Sequence, residues 1–222
     1  MLGKRGGSRW PPLLAFWSRM GKWRQRAQRY GPFCFIYILL RLTSLIAFLL
    51  GQSLGFGYEL ALELYTRGWN VYAGCLRAES VATLTEKAGG PSMHAVQMDV
   101  TKQADIDHVL QRIEKENAEQ GLYAVVLNAG VGRGGVVDWM PLEEYRSIME
   151  VNFFSVVAVV KACLPLLKQA KGRIVNVTSF AGLFHGAPCM SAYCASKHAS
   201  EAFTTSLRLE MKGWGIKVCQ NE

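Results

Sequence analysis

The chain has 222 residues, half of them hydrophobic, with 25 basic and 17 acidic side chains and a net charge of +8. That length suffices for one sizeable core. Residues 1–58 hold nine of the basic side chains and no acid, leaving 16 basic against 17 acidic residues beyond them, so the high charge belongs to a leader and gives no ground for a nucleic-acid-binding domain.

Six cysteines, Cys34, Cys75, Cys163, Cys189, Cys194 and Cys219, show neither Cys-x-x-Cys pairing nor regular spacing, and four scattered histidines add no ligand cluster. They read as reduced, mostly buried thiols, with no metal site and no disulfide framework.

Residues 1–44 form a basic, partly apolar leader. The run from Phe33 to Leu50 is long enough for a membrane span but is interrupted by Arg41, Thr43 and Ser44, and its end, Leu45 to Leu50, is better used as a buried strand. Roughly ten apolar residues remain, too few to span but enough for interfacial anchoring beside a polybasic segment. The expectation is membrane association, at the endoplasmic reticulum, with a mitochondrial presequence as the alternative.

From residue 45 the pattern alternates strand and helix. Leu45–Leu50 is followed by Gly51, Gly55 and Gly57 and by a helix with Phe56, Leu60 and Leu64 on one stripe, ending at Gly68. A strand, a glycine turn and a helix N-terminus make an anion site that suits a pyrophosphate. Asn70–Cys75 is the second strand. Ala95–Met98 is the third, followed by Asp99, Val100 and Thr101, the last an N-cap for a helix with Ile106, Val109, Leu110 and Ile113 on its buried face. Tyr123–Leu127 is the fourth, ending in Asn128, Ala129 and Gly130. A helical stretch from Leu142 to Leu167 carries Asn152, and Pro165 is expected to kink or end it. Arg173–Val177 is the fifth strand, with Thr178 and Ser179 at its C-terminal end, and Ile216–Gln220 the sixth. The fold class is therefore α/β, a Rossmann-like doubly wound parallel sheet of about six strands with helices on both faces.

Between the last two strands lie Tyr193 and Lys197, one helical turn apart and so on the same face. An ammonium held beside a phenol favours the phenolate, which can take a proton from an alcohol. On its own the pair is a weak signal, since an ordinary amphipathic helix carries such residues too.

The ordered set of Gly51, Gly55, Gly57, Asp99-Val100, Asn128-Ala129-Gly130, Asn152, Ser179 and Tyr193-x-x-x-Lys197 resembles the short-chain dehydrogenase/reductase family over residues 45–222. Stretches such as VQMDVT, EVNFFSVV and CLPLLKQAKGRIVNVTS look most like its retinol, 17β-hydroxysteroid and 3-hydroxybutyrate dehydrogenase branch. The resemblance implies catalysis by Asn152, Ser179, Tyr193 and Lys197: Tyr193 as acid/base, Lys197 on the nicotinamide ribose, Ser179 on the reacting oxygen and Asn152 supporting a proton relay. It implies cofactor binding by Gly51, Gly55, Phe56, Gly57, Asp99, Val100, Asn128, Ala129, Gly130, Tyr193 and Lys197. The implied cofactor is NAD. NADP is the alternative, because Cys75 and Leu76 stand where an acid would hold a ribose hydroxyl, and Arg77 suits a 2′-phosphate. The implied partner is a small lipid-like alcohol or ketone, such as a steroid or retinoid, with homo-oligomerisation also open.

Three departures from the family matter. Leu50 replaces the usual threonine and Leu127 the first of two asparagines, so the tie between the first turn and the fourth strand is expected to weaken. The chain also stops at Glu222, before the family's Pro-Gly and substrate loop. The expectation is a C-terminally truncated domain with an exposed sixth strand, lacking the nicotinamide clamp and much of the substrate pocket. Two functions follow: hydride transfer between a nicotinamide and a secondary or allylic alcohol, or a non-catalytic nucleotide-binding or regulatory variant.

Overall fold

Each of the six expected strands forms in a computed structural model, which describes residues 46–51, 55–183 and 186–221. The leader's anchor, and the turn residues 52–54, lie outside the described residues. The strands are β1 (Ile46–Leu50), β2 (Asn70–Cys75), β3 (Met93–Gln97), β4 (Ala124–Leu127), β5 (Arg173–Val177) and β6 (Lys217–Asn221). All neighbours pair in parallel, in the order β3-β2-β1-β4-β5-β6. The connection reverses direction between β1 and β4, and a crevice at the C-terminal ends of these two strands is where such sheets bind ligands. β6 has a strand partner on one side only among the described residues.

The helices are α1 (Phe56–Thr66), α2 (Ala78–Ala88), α3 (Gln103–Glu116), α4 (Leu142–Met149), α5 (Ser155–Ala170) and α6 (Ser191–Met211). Helices cover both sheet faces, so β1, β2 and β4 are near-continuous apolar runs rather than alternating ones. Ile106, Val109, Leu110 and Ile113 form the buried face of α3, as their spacing predicts, and join a core with Phe48, Val125, Val159, Leu167 and Ile174.

Four local expectations are corrected. The buried face of α1 is Gly57, Ala61 and Leu64, while Phe56 is 78 % exposed; small residues on that face suit close approach of helix to strand. β3 begins at Met93, earlier than its apolar run, because Met93 and His94 pair with Val71 and Tyr72. The N-cap of α3 is Lys102, not Thr101, whose amide and hydroxyl both donate to the Asp99 carboxylate (3.0 and 2.7 Å) in the turn before it. Finally, α5 runs through Pro165 to Ala170. The irregularity lies earlier, in the π-helical turn Glu150–Phe154 that joins α4 and α5 into one helical run. By length and composition Leu142–Ala170 could cross a membrane, but its apolar face, with Val156, Val159, Val160, Cys163 and Leu167, is buried in the core.

The described cysteines are free. Cys75, Cys163 and Cys194 are buried, Cys219 is half-buried and Cys189 is exposed. Burial pushes the Cys75 thiol up to about 11 and the Cys163 thiol higher still.

A polar ladder fixes α6 to the sheet. The Asn176 side-chain amide donates to Ser200 Oγ (2.8 Å) and Thr204 Oγ1 (2.7 Å), all three residues being buried. An interior hydrogen bond adds modestly when made but leaves an expensive orphan when one partner is removed. Asn176→Ala should therefore destabilise the domain by about 1–3 kcal/mol, read as a lowered midpoint in urea unfolding. An unchanged midpoint would mean that apolar packing alone seats this helix.

Candidate active site

The crevice begins at the end of β1. Gly51 adopts φ +76°, and a Cβ there would lie 2.6 Å from Ala129 Cα. Glycine is thus required twice over, by conformation and by the close approach of the two chains. The Gly51 amide donates to Gly74 O (3.2 Å). A tie to β4 is present, although the polar side chains expected to make it are replaced by leucines. Leu50 and Leu127, each 2 % exposed, are absorbed into the core. The neighbouring Asn128 makes the tie instead: its side-chain amide reaches Leu50 O (3.3 Å) and Gly51 O (3.2 Å).

Gly55, at φ +86°, is the N-cap of α1, and no atom of the described residues lies within 4 Å of where its Cβ would be. The start of α1 is therefore open on that side, with Gly57 buried and Phe56 facing solvent. Asp99 accepts from Thr101, as described, and its amide donates to Asp105 Oδ2 (2.8 Å), so its carboxylate holds a local turn. Val100 packs on the core and, with Thr101, Ile106 and Phe154, lines a groove of ≈ 390 Å³.

At the far side of the crevice, Asn152 sits in the π-helical turn, 1 % exposed. Its Oδ1 accepts from Val131 N (2.8 Å), while its Nδ2 donates to Val131 O and Ser196 Oγ (2.9 Å each). These bonds clamp the segment after Gly130 against α6. Lys197 is also buried, and its Nζ donates to Val177 O (3.1 Å) at the end of β5. Burial holds its ammonium below the ordinary lysine range, an effect opposed by the nearby Glu201 carboxylate. The Lys197 Nζ lies 5.9 Å from the centre of the half-buried Tyr193 ring.

Gly130 and Gly132 floor the space between these groups. A Cβ on Gly130 would lie 3.4 Å from Asn152 Oδ1 and 3.6 Å from Lys197 Nζ, and one on Gly132 would lie 3.6 Å from Tyr193 Cε2. Ser179 follows β5 and caps the 3-10 turn Phe180–Gly182, its Oγ accepting from Ala181 N (3.2 Å). A Cβ on Gly182 would meet Lys197 O at 3.1 Å and Glu201 Cγ at 2.9 Å. That glycine lets the Ser179 turn lie directly on α6.

The structure thus brings Asn128, Ala129, Gly130, Asn152, Tyr193 and Lys197 to one end of the sheet, with Gly51 against Ala129 and Ser179 on a turn against α6. Asp99 and Val100 stand at the end of β3. The sequence reading missed Ser196, Gly182 and Glu201. Ser196 adjoins Lys197 within the motif and was within reach; Gly182 and Glu201 are recognisable only once the turn is seen on the helix.

The family model for short chain dehydrogenases matches residues 45–220. The chain belongs to the short-chain dehydrogenase family. It is similar to mitochondrial D-beta-hydroxybutyrate dehydrogenase of Bos taurus, 37% identical over 76% of this chain and 50% of that protein. Retinol dehydrogenase 5 of Mus musculus is 34% identical over 94% of this chain and 63% of that protein. Estradiol 17-beta-dehydrogenase 2 of Mus musculus is 41% identical over 76% and 44% respectively. The chain therefore spans about half to three fifths of the length of these relatives. Among solved structures, a short-chain dehydrogenase from Streptomyces avermitilis superposes with a TM-score of 0.74 at 28% identity, covering 80% of this chain and 64% of its own. The Pseudomonas aeruginosa RhlG/NADP complex gives 0.75 at 26% identity, covering 82% and 72%.

Gly51→Ala tests the crevice directly. Strained backbone and a forced separation of β1 from β4 should together cost about 2–5 kcal/mol and abolish dinucleotide binding. A variant that binds NADH with unchanged affinity would show that this contact does not shape the crevice.

Proposed function

We propose that the protein is an oxidoreductase that moves hydride between a nicotinamide dinucleotide and a secondary or allylic alcohol or ketone of a lipid such as a steroid or retinoid. The observation that carries this reading is the meeting of Asn152, Tyr193 and Lys197 around Gly130 and Gly132 at the strand ends. The names of the retinol and estradiol relatives support a lipid-like substrate.

The residues present fit the dinucleotide. Among the described residues, the start of α1 is open at Gly55 and leaves its first backbone amides room to approach a pyrophosphate. Asp99 and Val100 would border the adenine, with Phe56 beside the turn, and Asn128, Ala129 and Gly130 would line the path to the nicotinamide. When bound, the cofactor supplies the hydride acceptor or donor. In oxidation, Tyr193 as phenolate would take the hydroxyl proton of the alcohol and become the neutral phenol, while Lys197 would hold the ribose and supply the positive charge that favours the phenolate. Ser179 orients the reacting oxygen. Asn152 fixes the segment after Gly130 and supports the water path that returns the proton to solvent. Ordering both reactants in this way supplies much of the rate.

NAD is the proposed cofactor. One observation favours NADP as a second reading: β2 ends in a buried neutral Cys75, followed by exposed Leu76 and Arg77, with no carboxylate in those three positions to hold a ribose diol. Titration with NADH and NADPH decides between them.

Tyr193→Phe should reduce turnover at least about a thousandfold while changing NADH affinity less than about threefold, measured by fluorescence titration and by assay on a panel of steroid, retinoid and hydroxy-acid alcohols. Retained turnover would assign the proton to another group. A wild-type chain that binds NADH but oxidises nothing on the panel would favour the non-catalytic, regulatory reading.

For localisation, we propose membrane association through residues 1–44, at the endoplasmic reticulum, with the mitochondrion as the alternative. The acid-free basic leader and its short apolar run support it. Removing residues 1–40 should move the protein from the membrane to the soluble fraction. If the trimmed form still sediments with membranes, the anchor lies within the domain.

A further inference from the structure

Lys197 is not the only buried charge on its helix face. Glu201 lies one turn further along α6, 9 % exposed, and its Oε1 is buried with no hydrogen-bond partner among the described residues. A carboxylate oxygen in that position is costly unless an opposite charge compensates it. The Ser179 turn seals the spot. Gly182 packs so closely that a Cβ there would meet Glu201 Cγ at 2.9 Å and the Lys197 carbonyl oxygen at 3.1 Å. Lys197 is 6 % exposed, and its Nζ is held by Val177 O, with no direct salt bridge to Glu201. Glu201 thus lies under the turn while the Lys197 ammonium sits at the end of β5 beside Gly130, two buried opposite charges on one helix face that act on each other through space.

We propose that Glu201 is a positioning residue for Lys197, its buried carboxylate being the counter-charge that keeps the ammonium charged and facing the crevice. The direction of the electrostatics agrees, because desolvation pushes the lysine towards its neutral form and Glu201 pushes it back. Neutralising Glu201 leaves a buried ammonium with a single carbonyl partner, free to lose its proton or to swing towards water. The cost falls on whatever Lys197 holds. This inference rests on the reading of Lys197 as a cofactor-binding group, and the test separates the two.

The experiment titrates NADH into the full chain carrying Glu201→Gln, Glu201→Asp, Lys197→Met, or Lys197→Met with Glu201→Gln, and records melting temperatures alongside. Glu201→Gln, which keeps the shape and removes the charge, should weaken NADH binding about tenfold. Glu201→Asp, which keeps the charge, should stay within about threefold of the wild type. On the Lys197→Met background, Glu201→Gln should cost no further affinity, because coupled residues are non-additive. The double variant should also melt above either single one. Equal losses on both backgrounds, or a double variant that melts below both singles, would overturn the proposal and leave Glu201 a packing residue. If Glu201→Gln does not fold, the double variant decides: recovery of the fold supports a charge pair, and failure to recover rejects it. If Lys197→Met binds NADH like the wild type, the cofactor role of Lys197 itself is wrong. If Lys197→Met weakens binding and Glu201→Gln does not, only the role of Glu201 fails.

Discussion

Helix α6 carries Tyr193 and Lys197, and the placement of both depends on how that helix is held against β5. Apolar packing alone permits a helix to slide or rotate by small amounts over a smooth strand surface. Here the Asn176 side-chain amide reaches two hydroxyls on α6, while Lys197 reaches back to the last carbonyl of the same strand. Directional bonds in a buried layer have few alternative geometries, so they convert general adhesion into a fixed register. Ser179 inherits the same frame, since its turn follows β5 and rests on α6 through Gly182. Tyr193 and Lys197 on one helix and Ser179 on the preceding turn thus share one reference surface.

A second frame comes from the π-helical turn between α4 and α5. A π-helical turn in a helix carries one residue more than an α-turn, and such widenings recur at functional sites. At this one, Asn152 serves as a double clamp on the Val131 backbone and as a donor to Ser196. Both hydrogens of its Nδ2 and one acceptor site of its Oδ1 are used on Val131 and Ser196, which joins the β4 end to α6. The Asn128 side chain does the corresponding work on the other side, joining the β4 end to the first turn. Strand β4 is therefore the hub: one asparagine ties it to each half of the crevice.

Much of this was legible in the sequence, because the signals were local. Apolar runs of strand length, separated by glycine turns and helical stripes, give the order of elements and hence the parallel sheet. The site residues Asn152, Ser179, Tyr193 and Lys197 stand in a recognisable series. What could not be read depended on distance in the chain. The substitution of apolar residues at Leu50 and Leu127 suggested a weakened tie, but the compensating reach of Asn128 needs the β1–β4 pairing to be known. The stripe of α1 looked to be Phe56, Leu60 and Leu64, yet the face that approaches the sheet is the one with the smallest residues. Nothing in Glu-Val-Asn-Phe-Phe announces a π-helical turn, and Pro165 drew attention to the wrong end of the same helix. Glu201 reads as an ordinary surface acid until the turn that buries it is in place.

The pairing of β1 with β4 also has a bearing on how the chain acquires its form. These central strands lie side by side, yet the hydrogen bond from Asn128 to Leu50 O joins residues 78 positions apart. Two βα units separate them in the chain, so closing the seam carries the entropy of a long loop. The close approach of Gly51 to Ala129 exists only when this seam is closed. The crevice therefore rests on a non-local join with a large closure entropy. A ligand that fills it acts as a clasp, adding its binding energy to the closed form of that join.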